Sequence, residues 1–68
     1  MHRTLISTHY NERIGGRAEV YRIKGKPFEN TYSIAYFNSK DVMIENKDFA
    51  NQGLSYVEEI AEDWTLGA

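Results

Sequence analysis

The chain has 68 residues, no cysteine and a formal net charge of −2. These limits allow one domain with one modest core, expected to span residues 1–68, and they exclude disulfides and thiolate metal sites. No apolar run approaches the roughly 18 residues of a membrane span, and MHRTLIST does not read as a secretion signal, so a cytoplasmic protein is expected. Ordering each residue costs roughly 1–2 kcal/mol, and a core this small has little to offset it. Self-association into a homo-oligomer is one way to compensate. Five tyrosines, three phenylalanines and one tryptophan would serve either the core or an interface.

In chain order, Thr4 to Tyr10 predicts a first strand, with Leu5, Ser7 and His9 on one side and Thr4, Ile6, Thr8 and Tyr10 on the other. Asn11 to Gly16 predicts a turn, because Gly15-Gly16 tolerates positive φ. Arg17 to Lys24 predicts a second strand. Its core side is expected to be Tyr21 and Ile23, with Val20 as the competing choice. Pro27, in Lys24-Gly25-Lys26-Pro27, lacks an amide proton and ends that strand.

Asn30 to Phe37 predicts the clearest strand, with Tyr32, Ile34 and Tyr36 on one face and Ser33, Ala35 and Phe37 on the other. Asn38-Ser39-Lys40-Asp41 is a polar turn, followed by a short strand at Val42-Met43-Ile44. Glu45 to Gly53 reads as an irregular linker. Phe49 would pack on the core edge, and a short turn of helix over Lys47 to Asn51 is the alternative reading. Connections this short imply antiparallel pairing.

The last element is a helix. Ser55-Tyr56-Val57-Glu58 has the S-x-x-E form of a capping box, in which Glu58 would reach back to the Ser55 amide. Val57, Ile60, Ala61 and Trp64 form an apolar stripe, and Gly67 sits where the helix would stop. The predicted fold is α+β: a small antiparallel β-meander of three to four strands with one C-terminal amphipathic helix packed on one face.

Charge is unevenly spread. Residues 1–30 carry a net +3 and residues 31–68 a net −5. Glu58, Glu59, Glu62 and Asp63 crowd the polar side of the helix, which has no lysine or arginine. Glu58 with Glu62, and Glu59 with Asp63, are like charges four apart, costing a few tenths of a kcal/mol each. These four residues are the candidate protein-binding face, and the expected function is that of a small non-enzymatic protein-binding or regulatory protein. The alternative is a nucleic-acid-binding module using Arg17, Arg22, Lys24, Lys26, Tyr21 and Tyr32, in which cations grip a backbone and aromatics stack on bases. A structural homo-oligomer subunit is the third reading.

No catalytic, cofactor or metal site is expected. The glycines lack any phosphate-binding pattern. His2 and His9 are the only histidines and have no ligand spacing around them. His9 beside a serine or threonine could form part of a nucleophilic pair, but no third group is indicated.

The closing stretch L-S-Y-V-E-E-I-A-E-D-W-T-L-G, Leu54 to Gly67, resembles the ending of small uncharacterised proteins of tailed bacteriophages, especially cyanophages. That family resemblance implies a short β-rich body before one amphipathic helix and a protein acting in the infected host's cytoplasm, on a host protein. It brings no functional residues with it. The outline of strands followed by a helix is also shared with antitoxin-like small domains, at the level of fold only.

Overall fold

The computed structural model describes residues 2–24 and 31–66. It contains four strands and one helix in chain order: β1 (His2–Asn11), β2 (Gly16–Lys24), β3 (Thr31–Phe37), β4 (Met43–Ala50) and α1 (Leu54–Thr65). The strands form one open antiparallel sheet in the order β1-β2-β3-β4, and α1 packs across β1, β2 and β3. This is the expected α+β meander with its C-terminal helix. No described helix is long and apolar enough to cross a membrane. Asn30, Pro27 and Gly67, to which sequence analysis gave a strand start, a strand break and a helix stop, lie outside the described residues.

Register decides which side chains meet the helix. Ala18 pairs with Tyr36, Val20 with Ile34 and Arg22 with Tyr32, so these residues share the covered face. The core consists of Ala18, Val20, Tyr32, Ile34 and Tyr36 from the sheet and Val57 and Ala61 from the helix, edged by Ile6, Phe49, Leu54, Ile60 and Trp64. Phe49 thus packs at the core edge as expected. For β2 the expected face is corrected. Val20 and Ala18 are the buried positions, while Tyr21 and Ile23 lie half-buried on the opposite face. The larger side chains look like better core residues in isolation. The covered face, however, must leave room for a helix, and Ala18 and Ala61 do so.

In β1 a bulge between Leu5 and Ser7 interrupts the alternation. An extra residue in one strand shifts the sides that follow. Ile6 therefore reaches the core edge, while Ser7 and His9, opposite Val20 and Ala18, lie on the covered face.

β4 is longer than its apolar residues suggest. Sequence analysis ended it at Ile44 and left Glu45 to Gly53 irregular, with a helical turn as the option for Lys47 to Asn51. The strand instead runs from Met43 to Ala50, paired with β3 from Thr31–Ala50 to Phe37–Met43. The backbone ladder to β3 holds it, and an edge strand with solvent around it needs no apolar alternation. The preceding turn is built by Asn38, whose Oδ1 accepts from the amides of Lys40 and Val42, with Asp41 at φ 66°.

The β1–β2 turn closes through the Gly15 amide donating to the Asn11 carbonyl at 2.8 Å, with Gly15 at φ 76°. At Gly16 the requirement is space. A Cβ there would lie 2.2 Å from the Phe37 carbonyl oxygen and 3.3 Å from the Trp64 ring. The absence of a side chain lets β2, β3 and the end of α1 come together.

The helix start also differs from expectation. The N-cap is Gly53, with no side-chain cap, and the first helical bond runs from the Val57 amide to the Gly53 carbonyl. Ser55 is thus already inside the helix, and the capping box does not form. Glu58 falls in the second turn and bonds elsewhere.

Candidate functional site

Glu58 sits at the border between the buried and exposed sides of α1 and points at β1. Ser7 Oγ donates to its Oε1 at 2.8 Å and its Oε2 at 2.9 Å, and His9 Nε2 lies 2.6 Å from Oε1. Ser7 Oγ and His9 Nε2 are themselves 3.2 Å apart. The bulge in β1 places Ser7 and His9 side by side on the covered face, and the second turn of α1 brings the carboxylate over them.

A serine, a histidine and a carboxylate together invite comparison with a nucleophile relay, but the connectivity differs. In such a relay the imidazole accepts the serine proton at one nitrogen and donates to the acid from the other. Here a single nitrogen, Nε2, faces both partners. Nε2 thus meets the carboxylate at 2.6 Å and the hydroxyl at 3.2 Å, and the imidazole does not stand between the serine and the acid as a relay requires. The Ser7 proton is directed at Glu58. The cluster ties the helix to the sheet edge.

A shallow open depression of about 440 Å³ adjoins this cluster, lined by His9, Leu54, Ser55, Glu58, Glu59 and Glu62. Of the four acids expected to form a binding face, Glu59, Glu62 and Asp63 are exposed, and Glu58 is only partly so. Among the described residues none of the three exposed acids has a cation within ion-pair distance, whereas Glu58 is held by His9. Three of the four thus stand on the outer helix face, and Glu58 is bonded to Ser7 and His9 of β1. The described residues contain no cluster of three or more histidine, aspartate or glutamate side chains arranged to hold a metal ion.

The nucleic-acid candidates are divided between the two faces of the sheet. Arg22 and Tyr32 lie on the covered face, with the guanidinium 5.9 Å from the ring centroid. Arg22 and Lys24 also line a smaller depression of about 240 Å³ with Thr4, Ile6 and Leu54. Tyr32 is buried. Arg17 and Tyr21 lie on the opposite, open face. Lys26 is outside the described residues.

The open face has its own network. Glu19 accepts from Arg17 Nε at 2.7 Å and from the Tyr21 hydroxyl, and Arg17 also bridges to Asp41. The bond from Tyr21, reinforced by that from Arg17, holds the Glu19 carboxyl below its ordinary value. The same bond raises the Tyr21 phenol, since ionising it would put two anions in contact. Arg17 is pushed further up by Glu19 and then Asp41. Arg3 stacks on Tyr21 at 4.3 Å and Arg17 on Phe37 at 4.2 Å. These aromatic surfaces are already occupied by the protein's own guanidinium groups.

Two residues outside the sequence-based sites prove structurally central. Asn11 is buried, donates from Nδ2 to the Trp64 carbonyl at 2.9 Å, and accepts from the amides of Arg13 and Ile14. It joins the first turn to the end of α1, where Trp64 packs on Tyr36 with ring centroids 5.1 Å apart. An asparagine opening a turn was visible in the sequence, but its partner 53 residues away was not.

No protein-family model matches the chain, and no curated protein or solved structure matches it. The phage-protein resemblance rests on the residues of Leu54 to Gly67 alone.

Proposed function

We propose that this chain is a small non-enzymatic protein-binding domain, whose contact surface is the outer face of α1 carrying Glu59, Glu62 and Asp63. The observation that carries this reading is three exposed carboxylates on one helix with no base in its sequence and, among the described residues, no ion-pair partner. Two of them lie near the helix C-terminus, where the dipole disfavours negative charge. A partner presenting lysine or arginine would relieve both penalties and be steered toward the surface. The resemblance of the closing residues to small phage proteins supports a host protein as that partner, met in the host cytoplasm.

The test is co-purification of tagged protein from nuclease-treated host lysate, comparing wild type with a Glu59→Lys/Asp63→Lys variant. The expected result is one stoichiometric protein retained by the wild type and lost by the variant. Recovery of nucleic acid instead when nuclease is omitted, abolished by Arg22→Glu or Lys24→Glu, would reject this reading in favour of nucleic-acid binding.

A further inference from the structure

Among the described residues, the strand order leaves one side of β1 and one side of β4 without a neighbouring strand. The two edges are treated differently. β1 is broken by its bulge and lies under α1. β4 also has a bulge, at Ile44, but from Glu45 to Ala50 it pairs with β3 in unbroken register, and all its residues but Phe49 are exposed. Exposed apolar side chains gather along it. Val42, Met43 and Ile44 enter the strand, and Tyr56 stands edge-on to Phe49 with centroids 6.3 Å apart. The regular stretch from Glu45 to Ala50, which no described element covers, offers unpaired amides and carbonyls to another strand.

We propose that β4 is the dimerisation edge of this protein, joining the β4 strand of a second copy antiparallel to make a continuous eight-stranded sheet. The choice of occupant rests on charge complementarity. In a two-fold pair of identical strands, residues facing each other must lie on the same face of the sheet, so the axis passes through one residue. Glu45 and Lys47 share the covered face, opposite Tyr36 and Ile34. An axis at Glu45 sets glutamate against glutamate, one at Lys47 sets lysine against lysine, and one at Asp48 sets aspartate against aspartate. An axis at Asn46 places Glu45 against the partner's Lys47, and Lys47 against the partner's Glu45. It also brings the two Asn46 residues level with each other on the open face. Charges on an edge usually guard against pairing, but alternating signs at two positions two apart select a single register of self-pairing. This inference is independent of the acidic helix face, which lies on another element.

The experiment is sedimentation velocity on the full chain across a concentration series, with single reversals and their mixture. The wild type is expected to sediment as a dimer of the 7.9 kDa chain at high concentration. Glu45→Lys and Lys47→Glu should each weaken self-association roughly tenfold or more, because both cross-strand pairs become like-charged. Mixing the two variants should restore a dimer, since one chain then carries two acids and the other two bases at the facing positions. That recovery separates a broken interface from a misfolded variant. A wild type that remains monomeric, a dimer indifferent to either reversal, or a mixture that fails to associate would each overturn the proposal.

Discussion

On the covered face of the sheet, Ala18, Val20, Ile34 and Val57 have no exposed surface, and apolar contact with α1 closes them off. On the open face the described residues form no second layer, yet Ser33 and Ala35 are 2% and 1% exposed. Their neighbours in the ladder, Tyr21, Glu19, Asp48 and Asn46, shield them, and Arg3 and Arg17 lie over the flanking aromatics. One face is sealed by burial and the other by charged and aromatic side chains leaning across the strands. A chain of this length has one helix to spend on a four-stranded sheet, so its second face is closed by hydrogen bonds and stacked guanidinium groups. Such closure depends on pH and salt.

The largest effect is expected from the apolar side. Ile34→Ala should cost about 3 kcal/mol, because it removes most of a fully buried side chain beneath the helix. In a domain of marginal stability that is enough to lose the cooperative transition in urea, followed by circular dichroism. Gly16→Ala comes next, at about 2 kcal/mol, since the new Cβ must push the Phe37 carbonyl away. Its urea midpoint should fall, while Gly53→Ala, where the Cβ meets open space, should not reproduce the steric part of that loss.

The open face should reveal itself through pH. Glu19 is held below its ordinary value of 4.5, so its contribution to stability is present above that value. It is lost as pH falls through the lower folded value. Tyr21 is raised above 10.0 by Glu19, so its contribution is present below that value and fades as pH climbs through the raised value. Thermal melts across the acid range should flatten for Glu19→Gln relative to wild type. An unchanged acid limb would show that the network does not stabilise this face.

What the sequence disclosed follows the same division. β3 was legible because Tyr32, Ile34 and Tyr36 alternate strongly and all three are buried. α1 was legible from its apolar stripe. β2 was assigned to the wrong face because side-chain size suggested Tyr21 and Ile23, whereas register with β3 and the closeness of the helix select Val20 and Ala18. β4 was cut short because a strand paired on one side only carries no periodic apolar signal beyond Ile44. Of the candidate sites, the three outer acids of α1 lie where helical spacing placed them. Glu58 does not, because local pattern matched it to Ser55 while its partners, Ser7 and His9, come from the far end of the chain. The available hint was that Ser7 and His9 alternate on one strand, and only the β1 bulge turns both toward the helix.

The division of labour among the four acids is the claim on which the functional reading depends, and thermal denaturation of single neutralised variants tests it most directly. Glu58→Gln should lower stability by about 1 kcal/mol, since it weakens the charge-assisted bonds joining α1 to β1 at a partly exposed site. Glu59→Gln, Glu62→Gln and Asp63→Asn should leave the melting temperature unchanged or slightly raised, as like-charge crowding is relieved. Equal losses in all four would contradict the account, because the outer acids would then be serving the fold and would not be free for a partner.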